Sequence, residues 1–297
     1  MATRPSMGQN HQPATIDSHQ HFWRYDAAGH GWITDAMSAL KRDFLPEELE
    51  SETAANGVDA SIAVQVDQTE KETLFLLDLA ERSERIAGVV GWIDLRSPIL
   101  AERLQFFSRF KKLCGFRHIA QAEPDDDFLV GPEFAGGIAR LGEFGYTYDI
   151  LIYARQLRAA IELAAKFPEQ RFVIDHMAKP EIKDGRREPW AGYMRTLAQN
   201  SNVYCKISGL VTEADWQHWQ PKDMEPYLDA VFEAFGPDRL MFGSDWPVCL
   251  LAASYRQVKQ VIESYVQAHS RENRDKIFGL NAIRFYGLKA DHYGLAA

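Results

Sequence analysis

The chain has 297 residues, of which 46% are hydrophobic and 25% are charged, and its formal net charge is −9. This length and composition are typical of a globular protein with one large domain and a substantial core. The acidic balance offers no basic surface to nucleic acid or to an anionic membrane, and no apolar run is long enough to span a bilayer, so both partners are excluded.

The amino-terminal segment, residues 1–14, is polar and lacks the apolar stretch of a signal peptide. We predict that it is a disordered tail and that one folded domain occupies residues 15–297. The three cysteines, Cys114, Cys205 and Cys249, lie far apart, in or beside apolar runs. Such cysteines are typical of buried free thiols in a reducing compartment, so the sequence predicts a cytoplasmic protein.

The first predicted strand, residues 15–23, has a polar centre that contains His19 and His21. Strand side chains alternate between faces, so the two imidazoles point the same way and can share a metal ion or a substrate oxygen. The alternative is two exposed histidines on an edge strand. The loop that follows, residues 24–45, includes Trp32 and is long for a structureless connection, which favours a functional or a disordered segment.

Beyond this loop, strands and helices alternate. A helix is predicted to begin near Pro46, where proline and acidic residues form the first turn, and to end at Asn56-Gly57. The other predicted strands are 60–66, 86–93, 113–119, 146–152, 172–176, 203–208 and 240–245. The other predicted helices are 70–84, 99–110, 132–144, 155–167, 189–199, 222–235, 254–268 and 272–286.

Eight short apolar strands that alternate with helices indicate a parallel sheet buried on both faces. Eight such units in this length predict an α/β protein with a single (β/α)8 TIM-type barrel. The competing fold is a doubly wound open sheet, which would carry a glycine-rich phosphate loop after its first strand. Here the first strand runs into Phe22-Trp23-Arg24 instead.

Polar side chains lie at or near the carboxyl ends of the predicted strands, where barrel enzymes gather their catalytic groups. They are His19 and His21 on strand one, Arg117 and His118 on strand four, Asp149 on strand five, His176 on strand six, Lys206 on strand seven and Asp245 on strand eight. Strands one and eight are neighbours in a closed barrel, so we expect Asp245 beside the histidine pair.

Structural roles compete with functional ones at three of these positions. His118 could be a core or loop histidine with its hydrogen bonds satisfied, and Arg117 could pair with a nearby carboxylate. Lys206 could be the structural ion-pair partner of Asp149 or Asp175.

For Asp245 a structural role is disfavoured, because an acid at the end of an apolar strand costs stability unless it is paired. Trp32 and Tyr153 could line a pocket or belong to the core.

Five stretches of the chain share a recognisable pattern when they are taken together. They are Ile16 to Trp23, Phe116 to His118, Asp175 to Pro180, Cys205 to Leu210 and Met241 to Pro247. As a set they resemble the amidohydrolase superfamily, and within it the lactonase-type branch of L-fuconolactone, L-rhamnonolactone, pyrone-dicarboxylate and sulfomuconolactone hydrolases. The resemblance extends from about residue 15 to residue 288.

The resemblance implies at most one metal ion. Binuclear members of the superfamily use a modified lysine on strand four and a histidine on strand five, whereas this chain has Arg117-His118 and Asp149 there. A single divalent cation, zinc or manganese, would be held by His19, His21, His176 and Asp245. Some lactonases of this branch work without metal, and histidine donors with Arg117 would then polarise the substrate carbonyl.

The function implied is a lactonase, a hydrolase that opens a sugar lactone such as L-fuconolactone to the sugar acid. Asp245 would be the general base for water, and the imidazoles of His19, His21 and His176 would stabilise the oxyanion. Substrate binding would fall to Arg117, His118, Trp32, Asp149 and Tyr153.

Two other functions compete with lactone hydrolysis. Related barrels decarboxylate aromatic or muconate-type acids with a similar metal-binding set, but a carboxylated substrate calls for several strand-end arginines, and Arg117 is the clearest one here. A catalytically inactive barrel that binds a sugar acid would have lost its polar strand-end residues, and this chain retains them. The signatures of acyl-enzyme and zincin chemistry, Gly-x-Ser-x-Gly and His-Glu-x-x-His, are absent from the sequence.

Overall fold

Eight parallel strands form one sheet in the computed structural model, which describes residues 13–289. Each strand pairs with the next one along the chain. The strands are β1 Ile16–Gln20, β2 Ala60–Val64, β3 Ile86–Gly91, β4 Leu113–His118, β5 Thr147–Ile150, β6 Phe172–Ile174, β7 Val203–Ile207 and β8 Leu240–Phe242. The prediction of a single (β/α)8 barrel is confirmed. The predicted tail at 1–14 falls largely on residues 1–12, which lie outside the described residues.

The segment after β8 closes the barrel against β1. The backbone amide of Asp245 donates to the carbonyl of His19 at 2.8 Å, and the amide of His21 donates to the carbonyl of Trp246 at 2.7 Å. The Ser18 hydroxyl donates to the Phe242 carbonyl at 2.6 Å across the same seam. The backbone therefore fixes Asp245 beside the histidine pair before any side-chain contact is considered.

Helices pack around the sheet, and most begin within two residues of the predicted positions. They are α1 Pro46–Ala55, α2 Glu70–Arg82, α3 Leu100–Phe107, α4 Pro132–Glu143, α5 Leu157–Lys166, α6 Trp190–Leu197, α7 Leu210–Glu213, α8 Pro221–Phe235, α9 Tyr255–His269 and α10 Asn281–Tyr286. The short α7 was not predicted. The loop at 24–45 is ordered in part, because it contains the 3₁₀ helix Asp35–Leu40.

The last predicted helix, 272–286, is divided in the structure. A 3₁₀ turn and a π-helical stretch, Lys276–Leu280, precede α10. A Cβ atom at Gly279 would lie 2.0 Å from the carbonyl oxygen of Ala14, so the backbone there packs directly on the chain that enters β1. Apolar side chains of α10 join Ile16 and Met241 in one buried cluster. This segment therefore covers the end of the barrel where the strands begin.

None of the helices between residues 13 and 289 combines the length and the apolarity that a membrane span needs. The three cysteines are free thiols, as the sequence predicted, although Cys114 is only half-buried.

Candidate active site

The two histidines that the sequence predicted on one face lie at the end of β1, with His19 within the strand and His21 one residue beyond it. The Nε2 atoms of His19 and His21 lie 3.2 Å apart, and both side chains are buried. The Nδ1 atom of His21 lies 2.7 Å from the carbonyl oxygen of Val64. A carbonyl only accepts hydrogen bonds, so Nδ1 carries the ring proton and Nε2 presents a lone pair toward His19.

His176 lies in a left-handed turn, which corrects the prediction that it ends strand six. Strand β6 stops at Ile174, and residues 176–179 all have φ between 50° and 57° although none of them is glycine. Each such residue costs about 1–2 kcal/mol, so surrounding contacts must hold the turn. The Nδ1 atom of His176 lies 2.9 Å from the Ser208 hydroxyl. Gly209 leaves room for the ring, since a Cβ there would lie 2.8 Å from Nδ1.

Asp245 is where the three imidazoles converge, three residues beyond the end of β8. Its Oδ1 atom lies 3.4 Å from His21 Nε2, 3.8 Å from His176 Nε2 and 4.0 Å from His19 Nε2. Burial acts to raise the pKa of the Asp245 carboxyl. In acid, where the imidazoles of His176 and His21 take up protons, these rings and the Lys179 ammonium outweigh burial and hold this pKa below its ordinary value. Asp245 is therefore an ionised carboxylate at neutral pH.

The imidazoles themselves are neutral. Burial lowers the pKa of His21, and it drives the pKa values of His19 and His176 well below the usual value for histidine. A neutral imidazole has one nitrogen lone pair, and this is the form that ligates metals.

A buried ionic network lies beneath His19. Lys206 Nζ is 2.5 Å from Asp149 Oδ2, 3.0 Å from Asp175 Oδ1 and 3.1 Å from His19 Nδ1. The Tyr286 hydroxyl donates to Asp149 at 2.8 Å. The ion pairs that the structural alternative for Lys206 predicted are present, with both proposed carboxylates. The structure places Asp149 within this network, fully buried and without contact to the cavity described below.

Asp175 is a site residue to which the sequence analysis gave only a pairing role. Its Oδ1 lies 3.3 Å from His19 Nδ1, and its Oδ2 accepts a hydrogen bond from Arg117 at 3.0 Å. Burial alone would raise the pKa of Asp175, but the Lys206 charge, the contact with His19 and the Arg117 charge hold it well below the usual range. Its position directly before His176 in the sequence was the available signal.

A cavity of about 500 Å³ opens above the histidines. Its lining includes Trp32, Arg117 and Tyr153 among the predicted binding residues, together with His21, His176 and Asp245 from the predicted catalytic set. It also includes Lys179 and Glu213, for which the sequence analysis named no role. Their Nζ and Oε1 atoms lie 3.6 Å apart.

His118 does not line this cavity. Its Nε2 lies 2.7 Å from a Glu123 carboxylate oxygen, and its Nδ1 accepts a hydrogen bond from the Trp92 indole at 3.3 Å. The ring also stacks on Phe128, with centroids 4.9 Å apart. Both ring nitrogens therefore have protein partners, which is the alternative that the sequence left open. Arg117 likewise pairs with a carboxylate, that of Asp175, and also donates to the Gln65 carbonyl.

Two groups of side chains have donor atoms close enough together to hold a metal ion. One consists of His19, His21 and Asp245, and the other of His19, Asp175 and His176. The first group suits a divalent cation better. Both carboxylate oxygens of Asp175 already contact cationic side chains, those of Lys206 and Arg117, whereas Asp245 faces imidazole nitrogens.

The barrel and this strand-end cluster define the class of protein. Residues 16–288 match the family model described as Amidohydrolase, and the chain belongs to that family. The predicted membership of the amidohydrolase superfamily is confirmed.

Among its relatives, an L-fucono-1,5-lactonase of Burkholderia multivorans is 46% identical over 284 residues, covering 92% of this chain and 96% of the relative. An L-fucono-1,5-lactonase of Burkholderia ambifaria is 38% identical, and the match covers 91% of this chain and 94% of the relative. A crystal structure of an amidohydrolase from Burkholderia multivorans with bound zinc is 46% identical, with a TM-score of 0.90, and the match covers 93% of this chain and 100% of that one.

Proposed function

We propose that this chain hydrolyses a sugar lactone, with L-fucono-1,5-lactone as the leading candidate, to the open sugar acid. Two relatives that match nearly their whole length carry that name. The observation that carries the proposal is the convergence of three imidazoles on one carboxylate, that of Asp245, in the lining of a cavity of about 500 Å³. A cavity of this size holds a small molecule.

Lactone hydrolysis needs a base for water, stabilisation of the carbonyl oxygen and a proton for the ring oxygen. Asp245 is the base, because it is ionised and lines the cavity. It takes one proton from the attacking water as the new bond to the carbonyl carbon forms. Arg117 is held rigidly by Asp175 and the Gln65 carbonyl, so it can orient substrate oxygens without reorganising.

The tautomer of His21 favours one divalent cation, zinc or manganese. Because the ring proton of His21 is on Nδ1, its Nε2 atom cannot donate a hydrogen bond to an oxyanion, but it can ligate a metal. The hydrogen bond from Nδ1 to the Val64 carbonyl orients the ring for metal binding. The residues that would hold the cation are His19, His21, His176 and Asp245. A bound cation would polarise the lactone carbonyl. Without a metal, the hydrogen-bond donors that polarise the lactone carbonyl would have to be Arg117 and the other histidines.

We expect at most about one tightly held divalent ion per chain. A second ion would have to approach Asp175, where the Lys206 ammonium and the Arg117 guanidinium already supply two positive charges. Elemental analysis of protein purified without added chelator measures the content directly. Two tightly bound ions per chain would show that the charges in this network have been assigned wrongly.

The activity is tested with a pH indicator and purified protein. L-fucono-1,5-lactone, other aldonolactones and aromatic carboxylic acids are compared, each with and without a chelator. Because sugar lactones also open spontaneously, Asp245→Asn protein at the same concentration serves as the background. We expect acid release from the lactone above that background. Carbon dioxide release from an aromatic acid, with no lactone turnover, would favour the decarboxylase instead. Location in the cytoplasm stays a prediction.

A further inference from the structure

The Lys179 side chain is a charged group in the cavity that the mechanism above does not use. We propose that Lys179 donates the proton to the ring oxygen as the lactone opens. This inference rests on the proposed lactone hydrolysis. An alkoxide is a poor leaving group without such a proton, so a site that opens aliphatic lactones needs a donor as well as a base.

Lys179 is positioned by the same turn that positions His176. Its amide donates to the His176 carbonyl at 2.8 Å, and it is the last of the four consecutive left-handed residues. Its ammonium lies 5.4 Å from the Tyr153 ring centre and 3.6 Å from Glu213. A run of four strained non-glycine residues is unusual, and here it directs two functional side chains, an imidazole and an ammonium, into one cavity.

The other basic side chains that line the cavity are engaged elsewhere. Arg117 is bound to Asp175 and Gln65, and a guanidinium does not give up its proton near neutral pH. His176 and His21 are neutral, and their Nε2 atoms face Asp245. The Lys179 ammonium, by contrast, has one ion-pair partner among residues 13–289, the Glu213 carboxylate at 3.6 Å.

Glu213 keeps this ammonium in place. Its carboxylate is the counter-ion nearest to Lys179, and α7 presents it at the cavity wall. The Tyr153 ring lies on another element, just before the 3₁₀ turn Ala154–Gln156, and adds a cation–π contact. Together these contacts hold the charge at the cavity, and because an ammonium has three N–H donors, others remain available to a substrate oxygen.

The proton transfers balance as follows. Water adds its oxygen and one hydrogen to the carbonyl carbon and gives its other proton to Asp245. The bond from this carbon to the ring oxygen breaks, its electron pair stays on the oxygen, and Lys179 supplies the proton that makes the hydroxyl. The new carboxylic acid returns a proton to Lys179, and Asp245 releases its proton to solvent. One lactone and one water give one carboxylate, one hydroxyl and one proton.

The test compares two leaving groups within one sugar. The oxygen lactone and its analogue with sulfur in the ring have the same hydroxyl groups, but the thiolate leaves without a proton. Lys179→Met should lower kcat on the oxygen lactone by about 10²–10⁴-fold. On the thiolactone the loss should be less than about tenfold, because a thiol has a pKa of about 8.5 and needs no acid to leave. Lys183→Met, an exposed lysine on the same segment, should change neither rate.

Lys179→Arg separates proton donation from charge. Arginine keeps the positive charge but does not release its proton, so this variant should stay as slow on the oxygen lactone as Lys179→Met. Rescue by arginine, or equal losses on both substrates, would overturn the proposal and leave Lys179 a binding residue. If the wild type turns over only the oxygen lactone, the kcat of Lys179→Arg on that substrate decides whether Lys179 donates a proton or only supplies charge. Wild-type protein inactive on every lactone would instead refute the proposed function.

Discussion

Asp245→Asn is expected to lower kcat for lactone opening by about 10²–10⁴-fold, the usual effect of removing a general base. Asparagine keeps the size of the side chain but cannot accept a proton from water. Burial, which opposes ionisation, is outweighed at this position by His176 and His21, so the pKa of the carboxyl is low and the base is ready at neutral pH. KM should change far less, because Arg117, Lys179 and the aromatic residues of the cavity remain.

The control for this substitution is Asp238→Asn. Asp238 is an exposed carboxylate that pairs with Lys276 at 2.8 Å, and it lies just before β8. Both variants are assayed with saturating divalent metal, and their metal content is measured, because Asp245 is also a candidate ligand. Near-normal turnover by Asp245→Asn at full metal content would show that Asp245 is not the general base, and a histidine would then have that role.

Lys206→Met is expected to cost about 3–5 kcal/mol of the free energy of unfolding, as does breaking other buried ion pairs. Lys206 is fully buried and contacts Asp149, Asp175 and His19. Methionine fills much of the same volume but leaves two carboxylates in the interior with less compensating charge. The free energy is measured by urea denaturation followed by tryptophan fluorescence.

Lys276→Met is the matched control, because it removes a lysine from an ion pair that is exposed. Such surface pairs contribute about 0–1 kcal/mol. If the two lysine variants lost similar amounts of stability, the network beneath His19 would not be a structural element. We would then have to treat Lys206 as a functional group, despite its burial.

The sequence predicted most of the fold, because the barrel is encoded in local patterns. Apolar strands, Pro46 at a helix start and Asn56-Gly57 at its end are signals within a few residues of one another. The pairing of His19 with His21 follows from strand alternation, and the nearness of Asp245 follows from barrel closure. Each of these predictions needs one geometric rule and no knowledge of side-chain packing.

The remaining site residues depend on packing that no local pattern encodes. His118 and Asp149 are residue types that bind substrate and they lie on strands, yet His118 pairs with Glu123 and Asp149 pairs with Lys206. The turn that carries Lys179 has no glycine, so nothing in its sequence signals four left-handed residues. The partner of Lys179 comes from α7, a helix too short for a periodic pattern.

Direct attack by water on the lactone carbonyl, with Asp245 as the base, is tested by a single turnover in water enriched in oxygen-18. The enzyme is in excess over L-fucono-1,5-lactone. If Asp245 acts as a base, the sugar acid formed carries one heavy oxygen in its carboxylate and none in the new hydroxyl. Peptide mass spectrometry of the enzyme should then find no label in Asp245. Product without label after this first turnover, or heavy oxygen in the Asp245 carboxylate, would contradict direct attack by water.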